Sequence, residues 1–456
     1  MKSLLMMNLR IMYRILYNLK GRVKMFVSEN LNVNEKGHLT IGGADTVELA
    51  AEYGTPLYVM DEQTVRSACR RFNDSIGKFY GGKGLACYAS KAFSCLEMCR
   101  IVASEGMGLD AVSIGELYTA VKAGFPMEKV GFHGNNKTDE ELNYAVECGV
   151  GHIIVDNISE LIRLENIAAE KNAVPHIMLR IKPGIDAHTH DFIKTGQIDS
   201  KFGFALETGE AFEAVKQAIE CKNVKLMGVH CHIGSQIFDI APFEEAAKVM
   251  LEFIAKVKNE LNYEIEGLNL GGGFGIKYLN EHDPAPFETY MERVSETVKS
   301  ECEKLGIAQP FIYIEPGRSI AAPAGITLYK VGARKEIPNI RTYVSIDGSM
   351  ADSPRYILYK SEYEAIVANK ANEERSERVT IAGKCCESGD LIGENMPLQH
   401  AESGDIIAVC ATGAYNYSMS SNYNRLQKPA VVFVNNGESR VAVKRETLDD
   451  IIRNDM

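Results

Sequence analysis

Short apolar runs alternate along this chain with longer stretches in which apolar residues return every three or four positions. The first kind reads as strand, the second as amphipathic helix. Eight runs stand out between residues 84 and 314: one from Gly84 to Lys91, then 107–112, 129–133, 152–155, 176–181, 225–231, 266–270 and 311–314. Strands separated by helices imply a parallel sheet, and eight such units are the signature of a (β/α)8 barrel. Past residue 320 the rhythm changes. Runs at 326–331, 342–346, 379–382, 405–409, 430–434 and 440–443 are short and have no long helices between them. They predict an all-β domain, a β-sandwich or β-barrel. The segment 39–59 has a similar strand character and is expected to join it. The fold class is therefore α/β plus all-β. The expected division is 25–60 joining the β domain, 61–319 as barrel and 320–456 as C-terminal β domain, in keeping with a chain of 456 residues.

Each barrel run ends in a polar signature. In order these are Lys91; Asp110 with Ser113; His133-Gly134-Asn135-Asn136; Asp156-Asn157; Arg180 with Lys182-Pro183-Gly184; His232-Ile233-Gly234-Ser235; Gly271-Gly272-Gly273-Phe274-Gly275; and Glu315-Pro316-Gly317-Arg318. Mere turns would scatter polar residues over both ends of a barrel. Active sites gather at the C-terminal strand ends, so this asymmetry points to an enzyme. Lys91 stands where a strand hands over to a helix. A buried ammonium is expensive unless paired, and its usual escape is a lowered pKa, which makes an amine nucleophile. The plainer alternative is a lysine snorkelling from a strand end. The glycine run after the seventh strand lies where many such barrels bind phosphate. It lacks the Lys-Ser/Thr of a P-loop and is no Rossmann fingerprint. His230 and His232 flank Cys231 and face one side; they read as a metal pair, as a ring packed on a cofactor, or as core histidines.

Composition narrows the partners. The net charge is −11 and the pI about 5.5, which argues against nucleic acid and anionic membrane. The eleven cysteines are scattered and never form a Cys-x-x-Cys pair. That reads as a reduced thiol set, expected of a cytoplasmic protein, rather than a disulfide framework or a structural zinc site. Residues 1–24 carry Lys2, Arg10, Arg14, Lys20, Arg22 and Lys24 and no acid. They hold no continuous apolar run for a signal peptide or membrane span. They read as an amphipathic basic anchor or, more simply, as sequence upstream of a start at Met25. Two turn-rich constellations lie in the β domain: Cys385-Cys386-Glu387-Ser388-Gly389-Asp390, and Gly413-Ala414-Tyr415 followed by Ser421-Asn422-Tyr423-Asn424.

Together these motifs carry a resemblance. From about Met25 to the C-terminus, the chain resembles the pyridoxal phosphate (PLP)-dependent decarboxylases built on an alanine-racemase-like barrel, and among them the group acting on meso-2,6-diaminopimelate. The resemblance rests on Tyr88-Ala89-Ser90-Lys91-Ala92, His133-Gly134-Asn135-Asn136-Lys137, His232-Ile233-Gly234-Ser235-Gln236, Gly271-Gly272-Gly273-Phe274-Gly275, Glu315-Pro316-Gly317-Arg318, Cys386-Glu387-Ser388 and Gly413-Ala414-Tyr415. It implies that Lys91 holds PLP as a Schiff base and that His232 stacks on the pyridine ring. Ser235, Gly273, Gly317, Arg318 and Tyr415 fall on its cofactor-binding positions, and Glu315 on the partner of the pyridinium nitrogen. Asp110, Glu116 and Arg180 would surround the lysine and cofactor. Arg318, Arg355, Tyr359 and Tyr415 would bind substrate. Glu387 would take its distal ammonium, and Cys386 would be the acid near the reacting carbon. The resemblance also implies a homodimer whose Cys386-Glu387 loop reaches into the partner's site. Glu315 disfavours a racemase, for which an arginine is expected there. Arg355 and Tyr359 with Glu387 disfavour decarboxylases of ornithine, arginine, D-lysine or carboxynorspermidine. A PLP carrier without catalysis would be expected to lose Cys386 or the arginines. The chain departs from the pattern in its basic N-terminal extension, in Asp347-Gly348-Ser349-Met350 and in Arg425-Leu426-Gln427-Lys428-Pro429.

Overall fold

The structure is a computed structural model that describes residues 26–185 and 199–456. The basic segment 1–24 lies outside the described residues. Eight parallel strands close into a barrel: β1 (Gly84–Ala89), β2 (Gly108–Ala111), β3 (Val130–Phe132), β4 (His152–Val155), β5 (His176–Lys182), β6 (Lys225–His230), β7 (Gly267–Asn269) and β8 (Phe311–Ile314). Each pairs with the next, and β8 returns to β1 with Ile312 opposite Gly84. Helices fill the outside, among them α1 (Leu96–Ser104), α2 (Ile114–Ala123), α3 (Asp139–Cys148), α4 (Ile158–Glu170) and α5 (Phe287–Leu305).

Local sequence explains how these helices start and stop. The side chains of Ser113, Thr138 and Asn157 accept hydrogen bonds from backbone N–H groups in the first turns of α2, α3 and α4. Thr138 and Glu141 complete a capping box. These caps sit at the strand-to-helix turns, so the same short segments that start the helices also form the rim of the barrel.

Alternation along the strands divides the residues between two cores. Ala86 and Tyr88 point outward into the large helix–barrel core. Cys87, Ile154, Met178 and Tyr313 point inward and form an apolar layer across the barrel. His152 packs against Tyr313 in that layer, and burial lowers its pKa to about 3. One step nearer the C-terminal ends the inward residues, Ala89 apart, are polar, and they build the site.

The second unit is β-rich, as expected. The strand Leu57–Asp61 lies antiparallel to Gly325–Ile337 and parallel to Ala430–Asn435, so the N-terminal segment joins this sheet. Two features differ from the sequence expectation. A helix, Thr46–Tyr53, interrupts the 39–59 segment. Asp45 caps it, and Leu49 and Ala50 are buried, so the strand character is confined to the flanks. The strands Ala365–Val367 and Leu391–Leu398 were absent from the pattern. Leu391–Leu398 contains Gly393, Asn395 and Pro397, which read as turn; it is tolerated as a strand because it lies at the sheet's edge. Among the described residues no helix is long and apolar enough to cross a membrane.

The β unit is fastened to the barrel beside Lys91. The Tyr415 N–H and the Ser418 hydroxyl both donate to the Ala92 carbonyl, at 2.8 and 3.0 Å. Arg440 bridges Glu62 and Glu97.

Candidate active site

At the C-terminal ends of the strands lies a cavity of about 750 Å³. Lys91, Asp110, Arg180, His232, Ser235, Glu315, Arg318, Arg355, Tyr359 and Tyr415 all line it. A small extension of about 60 Å³ continues past Lys91 toward Gly273, Gly317 and Ser319.

Of the two readings the sequence left open for Lys91, a buried amine and a lysine reaching out from a strand end, its placement matches the second. Its strand ends at Ala89, and a 3-10 turn, Ser90–Ala92, lifts the side chain into the cavity, where it is exposed. The turn is held from below. Glu116 accepts from the Ser90 hydroxyl and from the Val112 N–H, both at 2.7 Å. Glu116 thus braces, through Ser90, the turn that carries the lysine rather than lining the cavity.

Glu315 is the electrostatic centre. The Asn269 amide donates to its Oε1 at 2.6 Å. His133 Nε2 lies 3.0 Å from the same oxygen, and His230 Nε2 lies 3.3 Å from Oε2. Burial alone would raise this carboxyl, yet the two imidazoles hold it well below the usual carboxylate range. Asp110, 3.3 Å from His133, goes the other way. Burial pushes it up to about 6, with Glu315 adding to the rise against the opposing pull of His133. Two carboxyls on one histidine are therefore driven apart in acidity.

His230 and His232 do not form a metal pair. Strand alternation turns both inward, but His230 serves Glu315, whereas His232 Nδ1 accepts from the Gly272 N–H at 3.3 Å. Burial, then the nearby Lys91 charge, keeps His232 neutral. His133, His230 and Glu315 do bring three ligand atoms within 4.8 Å of one another. Asn269 also donates to Glu315, and the spacing is that of a hydrogen-bonded carboxylate.

On the far wall, two buried arginines flank Tyr415. Arg318 is 4.7 Å and Arg355 5.4 Å from its ring centre. Arg318 donates to Ser235 Oγ, at 2.9 Å from Nη2, and to Tyr278 Oη at 2.7 Å. Arg355 donates to Ser361 Oγ at 3.1 Å, while its buried Nε has no hydrogen-bond partner. Tyr359 lies 5.4 Å from the Arg355 guanidinium. Neither arginine is ion-paired among the described residues, so both keep donors for an anion. Arg180, between the Phe202 ring at 4.2 Å and Asp156 at 4.0 Å, closes another side.

Cys386 and Glu387 are not brought to this cavity by their own chain. Both are exposed, on a loop fixed by the Cys386 N–H to Asn424 and by Asp390, which accepts from Met350 and Cys385. The sequence reading gave no role to His133, Asn269, Tyr278 or Ser319. His133 directly follows β3 and Asn269 ends β7, so their place at strand ends was the signal for the first two. Tyr278 and Ser319 lie in irregular chain and follow no period.

Residues 62–322 match the family described as pyridoxal-dependent decarboxylase, pyridoxal binding domain. The chain is 51% identical to a diaminopimelate decarboxylase of Bacillus methanolicus over 422 residues, covering 92% of this chain and 98% of that protein. It is 48% identical to one from Bacillus subtilis over 432 residues, covering 95% and 98%. A crystal structure of diaminopimelate decarboxylase from M. jannaschii, in complex with L-lysine, superposes with a TM-score of 0.87 at 36% identity, covering 95% of this chain and 99% of that one.

The residues present fit pyridoxal phosphate. The small extension is a cradle that side chains would fill: a Cβ on Gly273 (φ +113°) would come within 2.6 Å of the Gly234 carbonyl, and one on Gly317 within 2.9 Å of Ala89 Cβ. The Ser319 hydroxyl lines that cradle, buried and without a hydrogen-bond partner. Ser235, Ser319 and the backbone at Gly273 and Gly317 could hold a phosphate, and Lys91 and Glu315 offer an amine and a negative charge to the same cavity. With that fit, and with the likeness extending over nearly the whole chain, the protein belongs to the pyridoxal-dependent decarboxylases, in the diaminopimelate decarboxylase family.

Proposed function

We propose that this protein removes the carboxylate at the D-centre of meso-2,6-diaminopimelate, giving L-lysine and CO2, the last step of lysine biosynthesis. The observation that carries the choice of substrate is the arginine pair around Tyr415. Arg318 and Arg355 face the same cavity as Lys91 and lack carboxylate partners among the described residues. A substrate with a second amino-acid group would use both; a plain diamine precursor would leave two buried cations unmatched.

When bound, pyridoxal phosphate supplies a carbonyl that joins to amines and a ring that takes up the electron pair left as a carboxylate departs. The chain's residues supply position and charge. Lys91 would provide the anchoring amine. Ser235, Gly273, Gly317 and Tyr415, with Ser319, would hold the phosphate. Ionised Glu315 would keep a proton on the ring nitrogen, and neutral His232 would offer a flat wall. Arg318, Arg355 and Tyr359 fix the distal carboxylate of the substrate. The α-carbon loses CO2 and gains a proton, for which Cys386 is the donor, while Glu387 takes the distal ammonium. Because both are exposed and lie off the cavity in one chain, they act from the partner of a homodimer, which makes two shared sites. The protein works in the cytoplasm, consistent with its unpaired cysteines.

The test supplies purified protein and pyridoxal phosphate with meso-diaminopimelate, ornithine and D-lysine separately. CO2 and L-lysine should come from the first. Turnover of either of the others without the first overturns the reading.

A further inference from the structure

The motif His133-Gly134-Asn135-Asn136-Lys137 contributes a second residue that the proposed chemistry leaves unused. Lys137 is 2% exposed, deep between the ends of β3 and β4. Its ammonium meets three acceptors: the Gly134 carbonyl at 2.9 Å, the Ile154 carbonyl at 2.6 Å and Glu160 Oε1 at 2.7 Å. One belongs to the turn after β3, one to β4, one to the first turn of α4. An ammonium has three protons, so each is used and none points to solvent.

A buried ion pair is weak evidence of stabilisation. Desolvating both charges costs much of what their attraction returns, and matched apolar residues often serve as well. Such a pair is best explained by what it specifies. Here it specifies the Gly134–Asn135 peptide, one residue past His133. Gly134 has φ +137°, a backbone conformation with little intrinsic preference behind it. Two further ties hold the same loop: Asn157 Nδ2 donates to the Asn135 carbonyl at 3.2 Å, and Arg163 to the Lys137 carbonyl at 3.0 Å. The residue thereby fixed is His133, whose Nε2 must serve Glu315 at 3.0 Å and Asp110 at 3.3 Å together.

We infer that Lys137, paired with Glu160, is a positioning residue of the active site, acting through His133 on Glu315. This rests on the reading of Glu315 as the partner of the cofactor ring.

The test is a cycle of four holoenzymes: wild type, His133→Gln, Lys137→Met with Glu160→Gln, and all three changes together. The double change removes both charges, so none is left buried and unpaired. Melting temperature, the pH dependence of the bound cofactor's absorbance without substrate, and kcat with KM are measured on each. The double variant should melt close to wild type. Its cofactor absorbance should titrate at a shifted pH, and kcat should fall toward the roughly 100-fold that a displacement on the order of 1 Å can cause, with KM little changed. His133→Gln should reproduce both effects, and the combined variant should add nothing. The inference is overturned if the absorbance titration stays at the wild-type pH, or if the two losses multiply. Lys137→Arg keeps the charge but cannot satisfy three converging acceptors, and serves if the double variant does not fold. The same shift supports the inference, and a wild-type titration refutes it. Failure of wild type to turn over meso-diaminopimelate would defeat the substrate reading alone, because the absorbance needs no substrate.

Discussion

Glu315 illustrates how one carboxylate can be held ionised at the centre of a protein. Three donors converge on it, from Asn269, His133 and His230, each from a different strand end. Glu315→Gln keeps the shape and removes the charge. It should lower kcat by about 100-fold or more, the usual loss when one preorganised electrostatic partner is removed, as measured by CO2 release. Arg355 makes a different kind of contribution. It lines the cavity beside Tyr415 and Tyr359, so Arg355→Ala should act mainly on KM, raising it about tenfold or more, as expected for losing a hydrogen bond to a charged group. An equal fall in kcat would place Arg355 at the reacting carbon instead. Lys91→Ala should abolish the covalent adduct that borohydride traps on wild type; a trapped adduct in the variant would identify another lysine as anchor. Lys91, Glu315 and Arg318 were legible as candidates in the sequence, because each ends or follows a strand in a recognisable motif; Arg355, which opens the short helix Arg355–Tyr359, came only from the resemblance. The exposure of Lys91 was not legible, since it depends on a cavity that neighbouring strands create.

At the scale of elements, loops of the β unit are organised around two buried acids. Asp390 accepts from Met350 and Cys385, joining the loop before Arg355 to the loop that carries Cys386. Asp352 accepts from Tyr329 at 2.6 Å and from the Ser349 N–H at 2.9 Å. Burial pushes Asp352 up to about 7, partly opposed by those two donors. Its folded pKa thus exceeds the unfolded value near 3.8. The group contributes stability fully below that value, and the contribution is lost as pH rises through about 7. Asp352→Asn should therefore gain on wild type in unfolding free energy as pH rises from about 4 to about 7, by at most about 1.4 kcal/mol per pH unit, and gain nothing further above that. A difference between the two proteins that stays constant with pH would show that Asp352 does not titrate there. These acids sit in turns, where no periodicity marks them; the strand runs at 342–346 and 379–382 before them were legible because alternation is local, whereas Leu391–Leu398 after Asp390 was not.

For the whole molecule, the central matter is that one chain leaves Cys386 and Glu387 on its surface. If two chains share their sites, Lys91→Ala and Cys386→Ala homodimers should each be nearly inactive. Mixed and reassociated, they should recover roughly a quarter of wild-type activity, because half the dimers then carry one intact site of two. No recovery, with exchange of subunits verified, would place the acid within the same chain. The interface between barrel and β unit is the other large-scale feature. Tyr415 is held to Ala92 across it, so the ring between the arginines is placed by the same peptide turn that raises Lys91.

The sequence by itself determined the kind of fold, the polar crown at one end of the barrel and the family. Those depend on alternation, on caps and on short motifs, each written within a few residues of chain. Only the tertiary structure decided who faces whom. His230 and Glu315 are 85 positions apart, Ser235 and Arg318 are 83, and Asn269 and Glu315 are 46. Closing the barrel puts these distant strand ends within hydrogen-bond reach. Burial then converts the resulting distances into charge states: Glu315 ionised, Asp110 near 6, His232 neutral. Neither closure nor burial is a property of any single segment, which is why the partners had to be read from the folded chain.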